Sequence, residues 1–313
     1  MTVSETTTPT STSPSTPAPR WNVGENRRPA DGLHPHSQEA ERSESSQRSQ
    51  EPSPRLRADA VSLAYGERIV VDGVTLDVPT GRITVVVGPN GCGKSTLLRG
   101  LGRLLKPRGG SVLLDGEAIT SLPTREVARR LGLLPQQPIV PEGVSVLELV
   151  ERGRHPHHGL FRSWGRADEE AVASALTRTD LVELASVPVD SLSGGQRQRV
   201  WLAMVLAQDT PVLLLDEPTS FLDIAHQLDV LDLVRSLRDQ SGTTVVMVLH
   251  DLAMAARYAD HLVAMSDGRI IAEGPPAQVV TPEVIADVFG VTASVIVDPE
   301  SGTPVVIPRR RAS

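Results

Sequence analysis

The sequence predicts an α/β fold, and three stretches lead to that reading. Gly88-Pro89-Asn90-Gly91-Cys92-Gly93-Lys94-Ser95-Thr96 follows the β-branched run Ile83-Thr84-Val85-Val86-Val87 and precedes Leu97-Leu98-Arg99-Gly100-Leu101, so a glycine-rich turn joins a buried strand to a helix. Val212-Leu213-Leu214-Leu215 is a second wholly apolar strand and ends in Asp216-Glu217-Pro218. Thr243-Thr244-Val245-Val246-Met247-Val248-Leu249 is a third, with His250 at its carboxyl end. In open α/β sheets ligands gather at those ends.

The glycine-rich turn matches G-x-x-x-x-G-K-[ST], the phosphate-binding P-loop. Glycines let the backbone curl around a phosphate without a Cβ clash. Successive N–H groups and the helix N-terminus then face the anion. The motif therefore assigns Gly88, Pro89, Asn90, Gly91, Cys92, Gly93, Lys94, Ser95 and Thr96 to nucleotide binding. Lys94 would reach the β- and γ-phosphates, and the Ser95 hydroxyl would ligate Mg²⁺. An apolar strand ending in two carboxylates is costly without a cation or a proton. Asp216 suits the Mg²⁺ shell, and Glu217 suits polarising an attacking water. His250 is placed to contact the γ-phosphate region, the alternative being simple packing.

Composition narrows the function classes. At 313 residues the chain is long enough for one large domain or two ordinary ones. A hydrophobic content of 39% and a net charge of −7 describe a globular, mildly acidic chain with no general bias toward nucleic acid. No apolar run of about 18 residues points to a membrane span, and no signal peptide is expected. The single cysteine, Cys92, fits a reducing compartment. Cys92 either fills a small position or is a reactive thiol, with the helix N-terminus and Lys94 favouring its thiolate.

Taken in order, residues 1–54 are rich in Ser, Thr, Pro, Glu, Gln and Arg and read as a disordered tail. Residues 57–65, 69–71 and 74–78 read as strands of a β-rich lobe with a turn at Gly66-Glu67-Arg68. Tyr65 either packs at a strand end or stacks on an adenine ring. Residues 111–116 read as strand and turn, 125–130 as helix, and 131–137 as a strand that runs into Gln136 and a flexible loop. Residues 137–190 form a mostly helical insertion, in which Asp168 caps a helix over 169–185 and 152–166 is an aromatic, basic and histidine-bearing loop, its part over 154–166 either an ordinary solvated face or a functional surface. Ser193-Gly194-Gly195-Gln196 opens a long helix, a second anion-binding N-terminus. Ser220, Phe221, Leu222 and Asp223 make a turn before a helix over 224–238.

These motifs, GPNGCGKST, LPQ, LSGGQ, LLLDEP, SFLD and LVLH, resemble in order and approximate spacing those of the ATP-binding-cassette (ABC) ATPases, from about Leu56 to the end of the chain, and none departs from the pattern. The resemblance implies a P-loop NTPase of the ABC fold over 55–313, with a RecA-like core sheet, an antiparallel β lobe, a helical subdomain near 137–190 and a short C-terminal extension near 291–313. It makes Tyr65 the adenine-stacking aromatic and Gln136 the loop glutamine that touches Mg²⁺ and water. Ser193, Gly194, Gly195 and Gln196 become the signature that covers the nucleotide of the opposite subunit, Asp223 part of the turn that crosses that interface, and His250 the switch histidine. Glu217, His250 and Gln136 are then the catalytic set, with ATP and Mg²⁺ as cofactors.

A finer resemblance is to the ATPases of iron–siderophore importers. It is carried by Leu134-Pro135-Gln136, Pro141-Glu142-Gly143-Val144-Ser145-Val146, Gly153-Arg154-His155-Pro156, Trp164-Gly165-Arg166, Ala203-Met204-Val205-Leu206-Ala207-Gln208, Leu222-Asp223-Ile224-Ala225-His226-Gln227 and the segment 298–308. Cobalamin, haem and metal-ion importers share parts of it. It implies a peripheral subunit on the cytoplasmic face of the membrane, partnered by a second copy of itself in a head-to-tail ATP sandwich, by two transmembrane permease subunits and by an extracellular or periplasmic binding protein, with no nucleic acid. A DNA-repair ATPase would split its motifs with a long coiled coil, and no heptads appear. A ribosomal factor would usually carry two cassettes, and one P-loop is present. A non-catalytic nucleotide-binding partner would be expected to lose Glu217 or His250, and both are there.

Overall fold

The computed structural model describes residues 54–136, 142–158, 164–220 and 222–311, so the tail expected to be disordered lies outside the described residues but for Pro54. Strands β1 (Leu56–Tyr65) and β2 (Arg68–Val78) pair antiparallel, and β4 (Gly109–Leu114) with β5 (Glu117–Ala118) extends them into a four-stranded sheet of order β2-β1-β4-β5. The two strands read separately over 69–71 and 74–78 are one strand, with register shifts in its pairing to β1 absorbing the polar interruption at Asp72-Gly73. Leu56, Ala58, Val61 and Leu63 of β1 and Val71, Val74, Leu76 and Val78 of β2 are buried and share one core with Leu97, Leu98 and Leu101 of α1 (Lys94–Leu101). This β lobe therefore packs directly on the P-loop helix.

The central sheet has the order β10-β9-β3-β8-β7-β6. Strands β3 (Ile83–Val87), β6 (Leu131–Leu134), β7 (Val212–Asp216), β8 (Thr244–Val248) and β9 (His261–Ser266) are parallel, and β10 (Arg269–Gly274) is an antiparallel edge. Every residue of β3, β7 and β8 is buried, which is why the three runs are apolar throughout rather than alternating. Because β3, β7 and β8 run the same way side by side, the P-loop, Asp216-Glu217 and His250 leave the sheet at one edge. Leu134 pairs with Leu215, so β6 brings Gln136 to the same edge.

The remaining elements are helices and one terminal hairpin. α2 (Thr124–Arg130) precedes β6; α3 (Val146–Glu151), a 3₁₀ turn (Arg152–His157) and α4 (Arg166–Arg178) follow it. α5 (Gly194–Ala207) leads into β7, α6 (Ile224–Ser241) into β8 and α7 (Leu252–Tyr258) into β9. α8 (Pro276–Val279), α9 (Pro282–Phe289) and a hairpin of β11 (Val291–Val297) and β12 (Pro304–Arg311) end the described chain.

α4 differs from the sequence expectation at both ends. It starts at Arg166 with Gly165 as its cap and stops at Arg178, shortly before Asp180 takes a left-handed φ of 53°. Asp168 sits inside the first turn, where one carboxylate oxygen accepts the Gly165 N–H at 3.2 Å and the other accepts Arg154 Nε at 2.9 Å. Arg154 also donates through Nη1 to the Ala207 carbonyl at 2.8 Å, at the C-terminus of α5. Arg154 is thus no part of a solvated face: it is buried, and it ties the 3₁₀ turn to α4 and α5 at once. His158 and Trp164 stack nearly parallel with ring centroids 5.4 Å apart.

Candidate active site

Two glycines set the curve of the P-loop. Gly88 has φ +150° and Gly93 has φ +110°, both in the region L side chains avoid. A Cβ on Gly88 would lie 2.2 Å from the Met265 carbonyl oxygen, and one on Gly93 would lie 3.0 Å from that of Val70, so the loop is pressed against the sheet and the β lobe. Lys94 is buried, and its Nζ donates to the carbonyls of Gly88 at 2.8 Å and Pro89 at 2.9 Å. The ammonium therefore sits inside the curve of the loop.

Around it lies a cleft of about 530 Å³ lined by Tyr65, Arg68, Val70, Asn90, Gly91, Gly93, Lys94, Ser95, Thr96, Gln136, Glu217 and His250. Tyr65 is exposed on its flank, and its hydroxyl accepts Arg99 Nη1 at 3.2 Å. Ser95 Oγ donates to Asp216 Oδ1 at 2.8 Å. Burial pushes the Asp216 carboxyl up, against the Ser95 bond, and the neighbouring Glu217 carboxylate adds to the rise. Burial also pushes Glu217 up, but hydrogen bonds from His250, Ser220 and Gln136 outweigh it and hold that carboxyl below the usual range. Glu217 Oε1 lies 2.6 Å from His250 Nε2, and Oε2 accepts the Ser220 hydroxyl at 3.0 Å. Its backbone is left-handed, φ 53°, uncommon for a glutamate.

The donor set fits a divalent cation. A hydroxyl and a buried carboxylate already lie within one hydrogen bond, and both are hard oxygen donors of the kind such a cation takes. Among the described residues no three His, Cys, Asp or Glu side chains gather to hold a metal, so beyond Ser95, Asp216 and Gln136 the ligands would be phosphate and water, as is usual for Mg²⁺.

The other expected residues lie elsewhere. Ser193, Gly195, Gln196 and Asp223 line a separate cleft of about 280 Å³ with Arg199, Leu222 and His226, and Gly194 begins the helix beside them. Ser193 caps α5 by accepting the Gln196 N–H at 3.2 Å, while Gln196 Oε1 accepts the Ser193 N–H at 3.0 Å. Asp223 caps α6, and its Oδ1 meets both the N–H and the ring Nδ1 of His226, at 3.0 and 2.8 Å. The fold thus divides the predicted residues into two clefts rather than gathering them in one. The sequence reading gave Ser220 and His226 no site role, because a polar side chain three residues after a carboxylate is common at any turn.

For Cys92 the structure favours the small filler over the reactive thiol. Its side chain is buried in the core beneath the loop, and burial raises the thiol, outweighing Lys94 and the backbone amides that lower it. The helix N-terminus does not win here because the sulfur is out of water. Folded protein treated with a maleimide at neutral pH is expected to leave Cys92 unmodified, and urea-unfolded protein to label fully. Mass spectrometry showing labelling of folded protein would reverse this reading.

A P-loop on a parallel sheet, with a carboxylate pair and a histidine on adjacent strand ends, defines a P-loop nucleotide-binding protein. The sequence model of the family described as ABC transporter matches residues 71–220. The chain is 51% identical to the ferric enterobactin transport ATP-binding protein FepC of Escherichia coli over 259 residues, 83% of this chain and 96% of that protein. It is 50% identical to the petrobactin import ATP-binding protein FpuD of Bacillus anthracis over 253 residues, 81% of this chain and 93% of that one. The bacterial ABC transporter cassette MJ0796, solved as a dimer, superposes with a TM-score of 0.64 at 30% identity, over 70% of this chain and 98% of that one. The chain belongs to the ABC transporter family, as one of its ATP-binding, ATP-hydrolysing subunits. Among the described residues no helix is long and apolar enough to cross a membrane.

Proposed function

We propose that this subunit powers import of iron–siderophore complexes from the cytoplasmic face of the cell membrane, with two permease subunits and an extracellular or periplasmic binding protein. The names of the relatives that match nearly their whole length support the cargo class. In this reading the chain has a tail over 1–54 and an ABC domain over 55–313, the latter with a helical subdomain near 137–190 and a C-terminal extension near 291–313.

The observation that carries the mechanism is the division of the site into two clefts. The first offers Lys94, Ser95 and the loop amides to the phosphates of ATP, Tyr65 to its base, and Asp216 with Ser95 and Gln136 to Mg²⁺, which supplies charge neutralisation at the phosphates. Glu217 polarises water there, and His250 and Gln136 hold Glu217. The second, with Ser193, Gly194, Gly195, Gln196 and Asp223, has no phosphate loop among the described residues that line it. Two copies arranged head to tail would set the second cleft of each on the first cleft of the other, making two sites by one two-fold operation.

Lys94→Ala removes a charge-assisted contact worth about 1.5–3 kcal/mol, so ATP affinity should fall roughly tenfold or more. A strain lacking the gene should fail to take up a radiolabelled ferric siderophore and recover with the wild-type chain but not with Lys94→Ala. Undiminished uptake in the deletion strain would refute the cargo, and full rescue by Lys94→Ala would refute ATP as the power source.

A further inference from the structure

Within one chain, the helix that opens with Ser193 is tied to the segment that begins at Glu217. Gln198, on α5, is buried, and its Nε2 donates to the carbonyl of Pro218 at 3.2 Å. Pro218 directly follows Glu217. The first turn of α5 also touches the far end of that segment, since a Cβ on Gly195 would lie 3.1 Å from Leu222 Cδ2. The Leu222 carbonyl is held in turn by Gln227 Nε2 at 2.9 Å, and Asp223 follows it. At the near end, Ser220 donates its N–H to the Glu217 carbonyl at 3.1 Å and its hydroxyl to the Glu217 carboxylate at 3.0 Å.

We propose that Gln198 is a positioning residue that couples the two composite ATP sites. The inference rests on the head-to-tail arrangement above. There, the Ser193 end of α5 meets the nucleotide of the second copy, while Glu217 of the same chain acts on that chain's own nucleotide. A displacement of α5 is passed through the Gln198 amide to the Pro218 carbonyl, one peptide from Glu217. The left-handed backbone of Glu217 is a sparsely populated state that persists only while its neighbours hold it, so it responds to a shift of that carbonyl. A buried hydrogen bond suits the task because it fixes direction as well as distance, which an apolar contact at the same place would not.

The test uses full-length Gln198→Met, which keeps the shape and deletes the donor, and Gln198→Glu, which turns the donor into an acceptor. Gln198→Met should melt within a few degrees of wild type, whereas Gln198→Glu, which sets a buried carboxylate against the Pro218 carbonyl, should melt distinctly lower. Both, where folded, should bind ATP as monomers with affinity within about twofold, because Gln198 touches neither the loop nor Lys94. Turnover should drop about tenfold or more, as expected when a catalytic group is slightly misplaced. The Hill coefficient for ATP should fall from near 2 toward about 1, its value for uncoupled sites. If either folded variant keeps turnover and Hill coefficient within twofold of wild type, the coupling role is wrong. Loss of monomer ATP affinity in either, or loss of fold in both, also overturns it, by making Gln198 part of the binding site or of the core. ATP-induced dimerisation of Glu217→Gln protein with Gln198 intact separates the two ideas. If that dimer is absent, the head-to-tail reading fails and the coupling falls with it. If it forms while the Gln198 variants turn over normally, only the coupling fails.

Discussion

Purified Glu217→Gln protein is expected to bind ATP with near wild-type affinity, to hydrolyse it at least about 100-fold more slowly, and to run as a dimer while ATP is present. The substitution keeps the shape of the side chain and the left-handed turn that presents it. An amide still accepts the Ser220 hydroxyl, but it cannot take a proton from water or offer His250 Nε2 the carboxylate oxygen that Glu217 Oε1 places 2.6 Å away. Binding contacts are untouched because Lys94, Ser95 and Tyr65 reach the cleft from other elements. Stopped turnover with preserved binding should therefore leave the closed dimer with no exit. Single-turnover assays together with light scattering decide the matter, and near-normal hydrolysis would remove Glu217 from its role.

Asp168→Asn should destabilise the chain by about 3–5 kcal/mol, the typical result of removing one partner of a buried ion pair. Arg154 would be left buried with a neutral amide in place of the carboxylate. The same pair predicts a pH dependence with a definite sign. Burial pushes the Asp168 carboxyl up, but Arg154, the Gly165 N–H and His158 pull it down further, so it is held below its ordinary value. A group whose folded value is depressed stabilises the fold above its unfolded value, about 3.9, and loses that contribution as pH falls through the folded value. The gap in denaturant midpoint between wild type and Asp168→Asn should thus be full at neutral pH and close progressively below about pH 4. A gap independent of pH down to acid unfolding would mean that the ion pair is not what Asp168 contributes.

Asp168 also shows where sequence reading stops. An aspartate ahead of an amphipathic run has the local signature of a helix cap. Its real partner is Arg154, whose guanidinium arrives from a different turn and is shared with the end of α5, a three-way arrangement no local pattern contains. The two readings of Cys92 stayed open along the chain for a related reason: its sequence neighbours favour a thiolate, while the core beneath it, contributed by distant strands, does not. By contrast the P-loop, Asp216-Glu217 and His250 were legible because each motif is contiguous and ends a strand buried on both faces, so one run of residues encodes both the strand and the group it presents. The grouping of Ser193 with Asp223, apart from Lys94, was not readable from spacing alone; the family resemblance supplied it, and the two clefts are its structural counterpart.

The seat of Lys94 on the carbonyls of Gly88 and Pro89 has a kinetic consequence. Those two bonds, with the one from the Gly268 N–H to the Cys92 carbonyl at 2.9 Å, hold the loop in its curve by contacts internal to the chain. A loop already curved gives up little conformational entropy when a phosphate arrives. Capture of nucleotide is then governed by diffusion and charge rather than by ordering of the loop. In the head-to-tail arrangement proposed above, the slower step would then be the meeting of two copies rather than the arrival of ATP.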